Sequence, residues 1–309
     1  MRHSIAESPA AISSLFEICT NDKNGRRIRD PSRVGARGGG FAIKRGVRSC
    51  VSCRKSRKTR IVVRINSRPE IAPTTHWALQ TLLKKNNQTL DLVVDLRIEV
   101  PIGAGYGTSA AGTAASCLAL ADAAQLPISF NEVGKLTHVA EVINKTGLGT
   151  ASAVLVGGFV LVTEPGAPGI GEVDRLLFPK GHSILCVYLQ SLPTKRVLTK
   201  RDLADRINPA GRAALKAIRR DPCLTTFLSE ARQFASRTPL QTKETFRIMN
   251  IMVANGAVGA AQNMVGKAVH GVVEDSLMPK ISREIKKEFP AAKIFASALD
   301  DRGVRLVGG

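Results

Sequence analysis

Aromatic residues are scarce in this chain: they make up 4% of its 309 residues, with one Trp and two Tyr. Proteins that bind single-stranded nucleic acid stack bases on aromatic side chains, so this scarcity counts against that class. Aliphatic residues and alanine must supply most of the packing. With 44% hydrophobic and 23% charged residues, the composition excludes a disordered tail, a collagen-like fibre and a coiled coil. One large domain or two medium ones is expected.

The sequence also shows no membrane span and no zinc motif. Its longest nearly apolar run, Ala151–Val162, is well short of the roughly 20 residues that a transmembrane helix needs. Residues 1–10 have no apolar core of a signal peptide. Of the six cysteines, Cys50 and Cys53 form a single C-x-x-C, without a second pair or a nearby His pair. We therefore expect buried or half-buried free thiols and a reducing, cytoplasmic setting.

Acidic residues are outnumbered by basic ones, and the formal net charge is +20. The segment Asn21–Glu70 holds 16 Lys/Arg and 3 Asp/Glu, a net charge of +13, whereas the rest of the chain carries +7. A basic segment attracts polyanions of several kinds. Three interpretations stay open: a solvated surface, including adaptation to salt or heat; an electrostatic funnel for anionic substrates; and a nucleic-acid interface.

The clearest local pattern is a strand, a glycine-rich turn and a helix between residues 94 and 125. Apolar residues alternate with charged ones up to Pro101, which predicts a half-buried strand. The glycines that follow let the main chain approach a ligand closely, and the start of the helix favours an anion such as phosphate. Thr108 and Ser109 have two natural roles there: capping the helix, or offering a hydroxyl to phosphate-bound Mg²⁺. The three glycines are Gly103, Gly105 and Gly107.

Neither of the two best-known phosphate loops fits this turn, because no Lys stands in it and its glycines are not spaced G-x-G-x-x-G.

Elsewhere, periodicity and turn residues predict further elements and a domain boundary near residues 175–182, which gives domains 1–178 and 179–309. The predicted strands are Arg60–Ile65, Gly158–Thr163 and His182–Leu189, with Ile294–Leu299 and Val304–Val307 paired as a hairpin. The predicted helices are His76–Lys85, Asn131–Asn144 with Asn131 as N-cap, Ala151–Val156, Arg196–Leu215, Cys223–Ser236, Thr242–Ala254 and Ile281–Lys287.

The segment 101–111, Pro-Ile-Gly-Ala-Gly-Tyr-Gly-Thr-Ser-Ala-Ala, resembles the P-x-x-x-G-x-G-S-S-A phosphate loop of the GHMP kinases. That superfamily includes galactokinase, homoserine kinase and mevalonate kinase. Residues 8–16, 35–47, 140–149 and 262–269 are similar to segments of its archaeal pantoate kinase branch. The resemblance implies an α+β fold of two domains: an N-terminal domain like ribosomal protein S5 domain 2, and a ferredoxin-like C-terminal domain.

The resemblance also implies a reaction and a nucleotide site. The enzyme would use ATP and Mg²⁺ to phosphorylate the primary hydroxyl of pantoate, on the route to coenzyme A. Gly103, Gly105, Gly107, Thr108 and Ser109 would cradle the ATP phosphates. Ser109 and Glu141 would hold the Mg²⁺, although without the resemblance Glu141 would be interpreted as a solvated carboxylate.

On the acceptor side, the resemblance implies that Ser13 and Ser14 contact substrate. Arg37 is a further candidate, because a carboxylate substrate benefits from a bidentate Arg. His138 and His270 lie in apolar or mixed patterns, so we expect both to be structural. The resemblance also allows a homodimer, while a membrane partner is not expected and nucleic-acid binding is disfavoured.

One position departs from the superfamily's pattern. Many GHMP kinases carry an Asp after the Gly-x-Gly turn, whereas here Thr150 follows Gly147-Leu-Gly149. A threonine can position a hydroxyl but cannot accept its proton at neutral pH. Phosphoryl transfer through a loose transition state depends mainly on positioning and charge stabilisation, so activity is still expected. The predicted catalytic residues are Ser109, Glu141 and Thr150. The alternatives are a kinase for homoserine or mevalonate, a catalytically weak relative, and a basic nucleic-acid-binding protein.

Overall fold

The computed structural model describes residues 2–190, 201–264 and 266–308 of the chain. Within them, a first sheet of eight strands has the order β12-β1-β2-β5-β3-β4, with β6 paired to β2 and β7 to β6. Neighbouring strands in this sheet run antiparallel, except β3 and β5, which run parallel to each other. The strands are β1 (Arg2–Cys19), β2 (Gly35–Lys55), β3 (Arg60–Ile65), β4 (Arg68–Pro69), β5 (Leu90–Ile98), β6 (Phe159–Glu164), β7 (Glu172–Leu176) and β12 (Arg305–Leu306).

Four helices cover one face of this sheet, and the second of them is buried on almost every side. Eight of its 17 residues are alanine, so it contacts the sheet and three neighbouring helices closely. Burial all round explains why this segment lacks a polar stripe. The helices are α1 (Pro73–Lys85), α2 (Thr108–Ala124), α3 (Phe130–Asn144) and α4 (Thr150–Val156).

A second sheet, antiparallel throughout, has the order β11-β8-β10-β9. Residues of α5 and α6 join both sheets in one apolar core, whereas α7 and α8 pack on the far face of the second sheet. These elements are β8 (His182–Gln190), α5 (Arg201–Arg220), α6 (Leu224–Arg237), α7 (Lys243–Ala254), β9 (Gly259–Gln262), β10 (Lys267–Glu274), α8 (Met278–Glu288) and β11 (Lys293–Ser297).

The predicted hairpin between Ile294 and Val307 is wrong. β11 pairs with β8 in the second sheet, whereas β12 pairs with β1 in the first. Between them the chain crosses along β2, where the Lys44 N–H donates to the Ala298 carbonyl at 3.0 Å. The buried Asp300 carboxylate then accepts the N–H groups of residues 302 and 303, each at 3.0 Å. The turn-like residues therefore make a crossing between sheets.

The α+β class is confirmed, and most predicted elements are present with shifted ends. The cap of α3 is Ser129 and not Asn131: its hydroxyl accepts the Glu132 N–H, while the Glu132 carboxylate accepts the Ser129 N–H. Positions 196–200 of one predicted helix lie outside the described residues, and the boundary between domains 1–178 and 179–309 stays a prediction.

The described part of the chain has no helix both long and apolar enough to cross a bilayer. All six cysteines are free thiols that are buried or half-buried, as expected.

A cluster of phenylalanines joins the first sheet to the layer above it. The ring of Phe41 lies 4.7 Å from that of Phe159 and 5.6 Å from that of Phe227 on α6. Phe41 is fully buried. We expect Phe41→Ala to lower the free energy of unfolding by about 3–5 kcal/mol, because it removes this contact and leaves a cavity. Ile71→Ala, at a site 93% exposed, should change that free energy by less than about 0.5 kcal/mol. Urea unfolding followed by circular dichroism measures both; equal effects would contradict the shared core.

Candidate active site

A cavity of about 280 Å³ lies where β1, β2, the glycine loop 103–109 and the start of α4 meet. Most of its wall is apolar or main chain, and a few polar side chains reach it. This is the usual composition of a small-molecule site. The polar or charged residues on its wall are Ser13, Arg37, Tyr106, Thr108, Ser109, Glu141, Thr146 and Thr150.

The glycine loop opens one side of this cavity. Its three glycines, Gly103, Gly105 and Gly107, have φ angles of 75°, 77° and 60°, a region of backbone conformation that residues other than glycine rarely adopt. Gly107 is the N-cap of α2, and no side chain caps this helix. Thr108 and Ser109 are therefore its first two residues, and the capping role proposed for their hydroxyls is not observed. The free N–H groups of the first turn carry the positive end of the helix dipole.

The loop is fixed directly to the strand beside it. The N–H of Ala11 on β1 donates to the carbonyl of Tyr106 at 3.0 Å. The Tyr106 side chain is buried and packs 5.6 Å from the ring of Phe295 on β11. Ser13, two residues along β1, lines the same cavity. The loop and the predicted acceptor strand thus form one rigid wall.

Glu141, on α3, is 2% exposed, so the interpretation as a solvated carboxylate is excluded. Burial raises its pKa from 4.5 to about 7, against the opposing effect of nearby Thr146 and Ser109 hydroxyls. Among the described residues, its Oε2 has no hydrogen-bond partner. The carboxylate packs against Gly147, where a β-carbon would lie 2.3 Å from Oε2. A side chain at position 147 would therefore displace the Glu141 carboxylate.

Thr146 links the acidic residue to the glycine loop. Its hydroxyl donates to Glu141 Oε1 at 3.3 Å and accepts from the Ser109 hydroxyl at 3.3 Å. A further hydroxyl, that of Thr74 at the start of α1, lies 3.1 Å away. Sequence reasoning missed this role of Thr146; the only signal was its place between Glu141 and the Gly-x-Gly turn.

Thr150, the residue that replaces the superfamily's Asp, lies on the cavity wall as the first residue of α4. A β-carbon at Gly107 would lie 2.4 Å from its Cγ2 atom, so Thr150 packs against the base of the glycine loop. The structure thus brings Ser109, Glu141 and Thr150 to one cavity.

Of the three residues predicted to contact the acceptor, two line the cavity and one does not. Ser13 is exposed to the cavity, and so is part of Arg37. Arg37 also pairs with Glu17 at 3.6 Å and Glu164 at 3.4 Å. Ser14 needs correction: it is fully buried, does not line the cavity, and its hydroxyl lies 2.8 Å from His270 Nε2. Alternation along a strand explains this, since neighbouring residues face opposite sides.

Most of the basic segment lies away from the cavity. Among its Lys and Arg residues, Arg37 lines the wall, while Arg54 and Arg64 are exposed and pair with Asp91 and Asp95 on β5. No group of three His, Cys, Asp or Glu in the described residues is arranged to hold a metal ion. Any cation at Glu141 would therefore depend on ligands that a substrate brings.

Residues 74–158 match the family profile described as "GHMP kinases N terminal domain". The pantoate kinase of Thermococcus kodakarensis is 30% identical over 278 residues, which cover 86% of this chain and 86% of that protein. The pantoate kinase of Methanocaldococcus jannaschii is 26% identical over 266 residues, covering 85% of this chain and 90% of that protein.

Solved structures share this fold over 99% of the chain. One described as "Phosphotransferase related to CoA biosynthesis pathway" has a TM-score of 0.87 at 24% identity, covering 99% of this chain and 98% of that one. The mevalonate kinase of Methanococcus jannaschii has a TM-score of 0.68 at 16% identity, with 99% of each chain covered. The glycine loop, the cavity and the relatives agree: the chain belongs to the pantoate kinase family of the GHMP kinases.

Proposed function

We propose that this protein transfers the γ-phosphoryl group of ATP to the primary hydroxyl of pantoate, giving 4-phosphopantoate for coenzyme A synthesis. The family makes it a phosphotransferase with an alcohol acceptor. The observation that carries the proposal is a single cavity, which joins a positive-φ glycine loop, a buried carboxylate with an unpartnered oxygen, and one arginine.

The phosphate end of this cavity is made of main chain. Gly103, Gly105 and Gly107 would let amide groups surround the phosphates, and the first turn of α2 would add its dipole. Thr108 and Ser109 would donate hydroxyl hydrogen bonds there. Since α2 is buried on nearly all sides, its first turn is held in place before nucleotide arrives.

Glu141 and Ser109 are proposed to hold Mg²⁺. The donor set fits, because Mg²⁺ prefers oxygen ligands and is usually held by one or two carboxylates together with substrate phosphates. The unpartnered Oε2 of Glu141 is a buried acceptor that a cation would satisfy. When bound, the ion neutralises charge that develops on the transferred phosphoryl group. Thr146 would keep the Glu141 carboxylate turned toward Ser109.

The acceptor end favours pantoate over other alcohols. Leu15, Phe16, Val160 and Val162 supply apolar wall suited to the two methyl groups of pantoate. Arg37 is the cationic side chain among the described lining residues, and its Nε is buried without a hydrogen-bond partner. We propose that it receives the pantoate carboxylate, with Ser13 as a second contact. Homoserine would instead bring an ammonium group, for which this wall offers Glu141 as its single carboxylate.

Transfer in this site would proceed without a dedicated base. Thr150 would hold the acceptor hydroxyl in line with the γ-phosphate by a hydrogen bond. The proton of that hydroxyl would leave late, when the bond to phosphorus is largely formed, and would pass to an oxygen of the transferred phosphoryl group. This order of events is compatible with neutral pH, because no lining residue has to accept the proton before the hydroxyl attacks. A homodimer and a cytoplasmic location stay predictions.

A substrate panel tests the proposed function. Purified protein with ATP and Mg²⁺ should release ADP fastest with pantoate, and kcat/KM for homoserine and mevalonate should be at least about tenfold lower. All three carry a carboxylate, but mevalonate has one methyl group where pantoate has two, and homoserine adds an ammonium group. Coupled ADP assays measure this. A preference for another alcohol would overturn the substrate, whereas no turnover together with salt-sensitive RNA binding would overturn the kinase assignment.

Ser109 and Ser129 give a matched pair of variants, since both stand at helix starts. Ser109→Ala should lower kcat/KM by roughly 100-fold, because contacts with the phosphates and the cation are lost. Because the Ser109 hydroxyl does not cap α2, the free energy of unfolding of this variant should change little. Ser129→Ala removes a true cap and should cost about 1 kcal/mol of stability, with unchanged turnover. Steady-state kinetics and urea unfolding separate the two effects. Equal turnover of wild type and Ser109→Ala would contradict the role of the loop hydroxyl.

Glu141 should make the apo-protein less stable as pH rises. Its folded-state pKa of about 7 lies above the unfolded value of 4.5, so the unfolded chain ionises first and stability falls between these values. Glu141→Gln removes this loss. The variant's unfolding free energy relative to wild type should thus rise by about 3 kcal/mol between pH 4 and pH 8.

Glu132→Gln, on the same helix, is the opposite control. Hydrogen bonds from Lys85 and the Ser129 N–H lower the pKa of Glu132, so the charged form of Glu132 stabilises the fold. The free energy of unfolding of Glu132→Gln should therefore fall relative to wild type as pH rises. Urea unfolding at several pH values measures both variants. A Glu141→Gln difference that does not change with pH would show that folding leaves the pKa of Glu141 unshifted.

A further inference from the structure

A chain of buried hydrogen bonds connects β1 to the glycine loop by way of the second sheet. The Ser14 hydroxyl lies 2.8 Å from His270 Nε2, and His270 Nδ1 lies 2.8 Å from Asn263 Oδ1. The Asn263 amide Nδ2 donates to the Ala104 carbonyl at 3.1 Å. All four residues are fully buried. We call Ser14, His270 and Asn263 the buried array.

Each hydrogen bond of the buried array has one direction. Because the Asn263 amide nitrogen faces a carbonyl, its Oδ1 faces His270 and can only accept. The proton of the neutral imidazole is therefore on Nδ1, which leaves Nε2 to accept the Ser14 hydroxyl. Burial lowers the pKa of His270 to about 3, so the imidazole stays neutral at working pH. The buried array is thus satisfied in one arrangement only.

We propose that the buried array is a positioning device that orients the peptide between Ala104 and Gly105 for nucleotide binding. In a trans peptide the C=O and N–H point in opposite directions. With the Ala104 carbonyl turned to the buried Asn263, the Gly105 N–H is directed away from it, on the side where Gly105 lines the cavity. That N–H would then reach the ATP phosphates.

This inference rests on ATP binding at the glycine loop, as proposed above, but not on the identity of the acceptor. It gives the second sheet a part in nucleotide affinity, because Asn263 follows β9 and His270 lies on β10. It also accounts for Ser14, whose position excludes a direct contact with substrate.

Asn263→Asp and Gln262→Glu test the proposal as a matched pair. Each replaces a buried amide that donates to a backbone carbonyl, Ala104 in one case and Leu240 in the other. Asn263→Asp keeps an acceptor for His270 but loses the donor to the loop. We expect its dissociation constant for ATP, measured by calorimetry with Mg²⁺ and without acceptor, to rise about tenfold. For Gln262→Glu it should stay within about twofold.

A second pair keeps the proposal testable if a buried acid prevents folding. Ser14→Ala shortens the buried array, whereas Ser49→Ala removes an equally buried hydroxyl that pairs with Ser116 at 2.9 Å. Ser14→Ala should raise the ATP dissociation constant about threefold and leave the KM for the acceptor unchanged, and Ser49→Ala should change neither.

Equal ATP affinities within either folded pair would overturn the positioning role, as would a Ser14→Ala effect confined to the acceptor KM. Wild-type protein that bound no ATP would overturn the proposed function itself, so the two failures are distinguishable.

Discussion

A buried carboxylate that pairs with no cationic side chain among the described residues is the constraint around which this cavity is built. Glu141 is placed at the wall by the last turn of α3, and Gly147 packs directly against its carboxylate, where a larger residue would displace it. The charged form of Glu141 is disfavoured by burial, so a bound cation and its phosphate partners would stabilise the ionised carboxylate and with it the fold. Stability and affinity are coupled at this one group.

At the end of the cavity proposed to hold the phosphates, the positive potential does not come from charged side chains. Despite a net charge of +20, the described lining residues include a single Arg and no Lys. Backbone amides and the start of α2 take the place of side-chain cations. Such dipoles are fixed by the fold and need no reorganisation when the nucleotide enters. The strongly basic segment lies mainly on other surfaces around β2 and β3, where two of its arginines, Arg54 and Arg64, pair with Asp91 and Asp95 on β5.

Local patterns predicted the parts of the fold that depend on local physics. The alternating strand, the glycine loop and the alanine-rich helix are present where the sequence indicated, because strand period, positive φ and helix propensity are short-range properties. The C-terminal hairpin failed because two adjacent strands joined different sheets, which is a long-range choice. For the site, Glu141 was found through the family resemblance alone. The bridging hydroxyl of Thr146 and the burial of Ser14 depend on contacts between distant segments, which no spacing rule reports.

The return of β12 to the first sheet has a consequence for biosynthesis. Ala6 pairs with Leu306, and Arg305 forms ion pairs with Glu7 at 3.5 Å and Asp300 at 2.9 Å. The edge of β1 at Ala6 and Glu7 therefore remains unpaired until β12 has been synthesised. Exposed strand edges are templates for unwanted pairing. Nascent chains of this enzyme would expose this edge until β12 has been made, and a chaperone that shields β1 during that interval would protect them from aggregation.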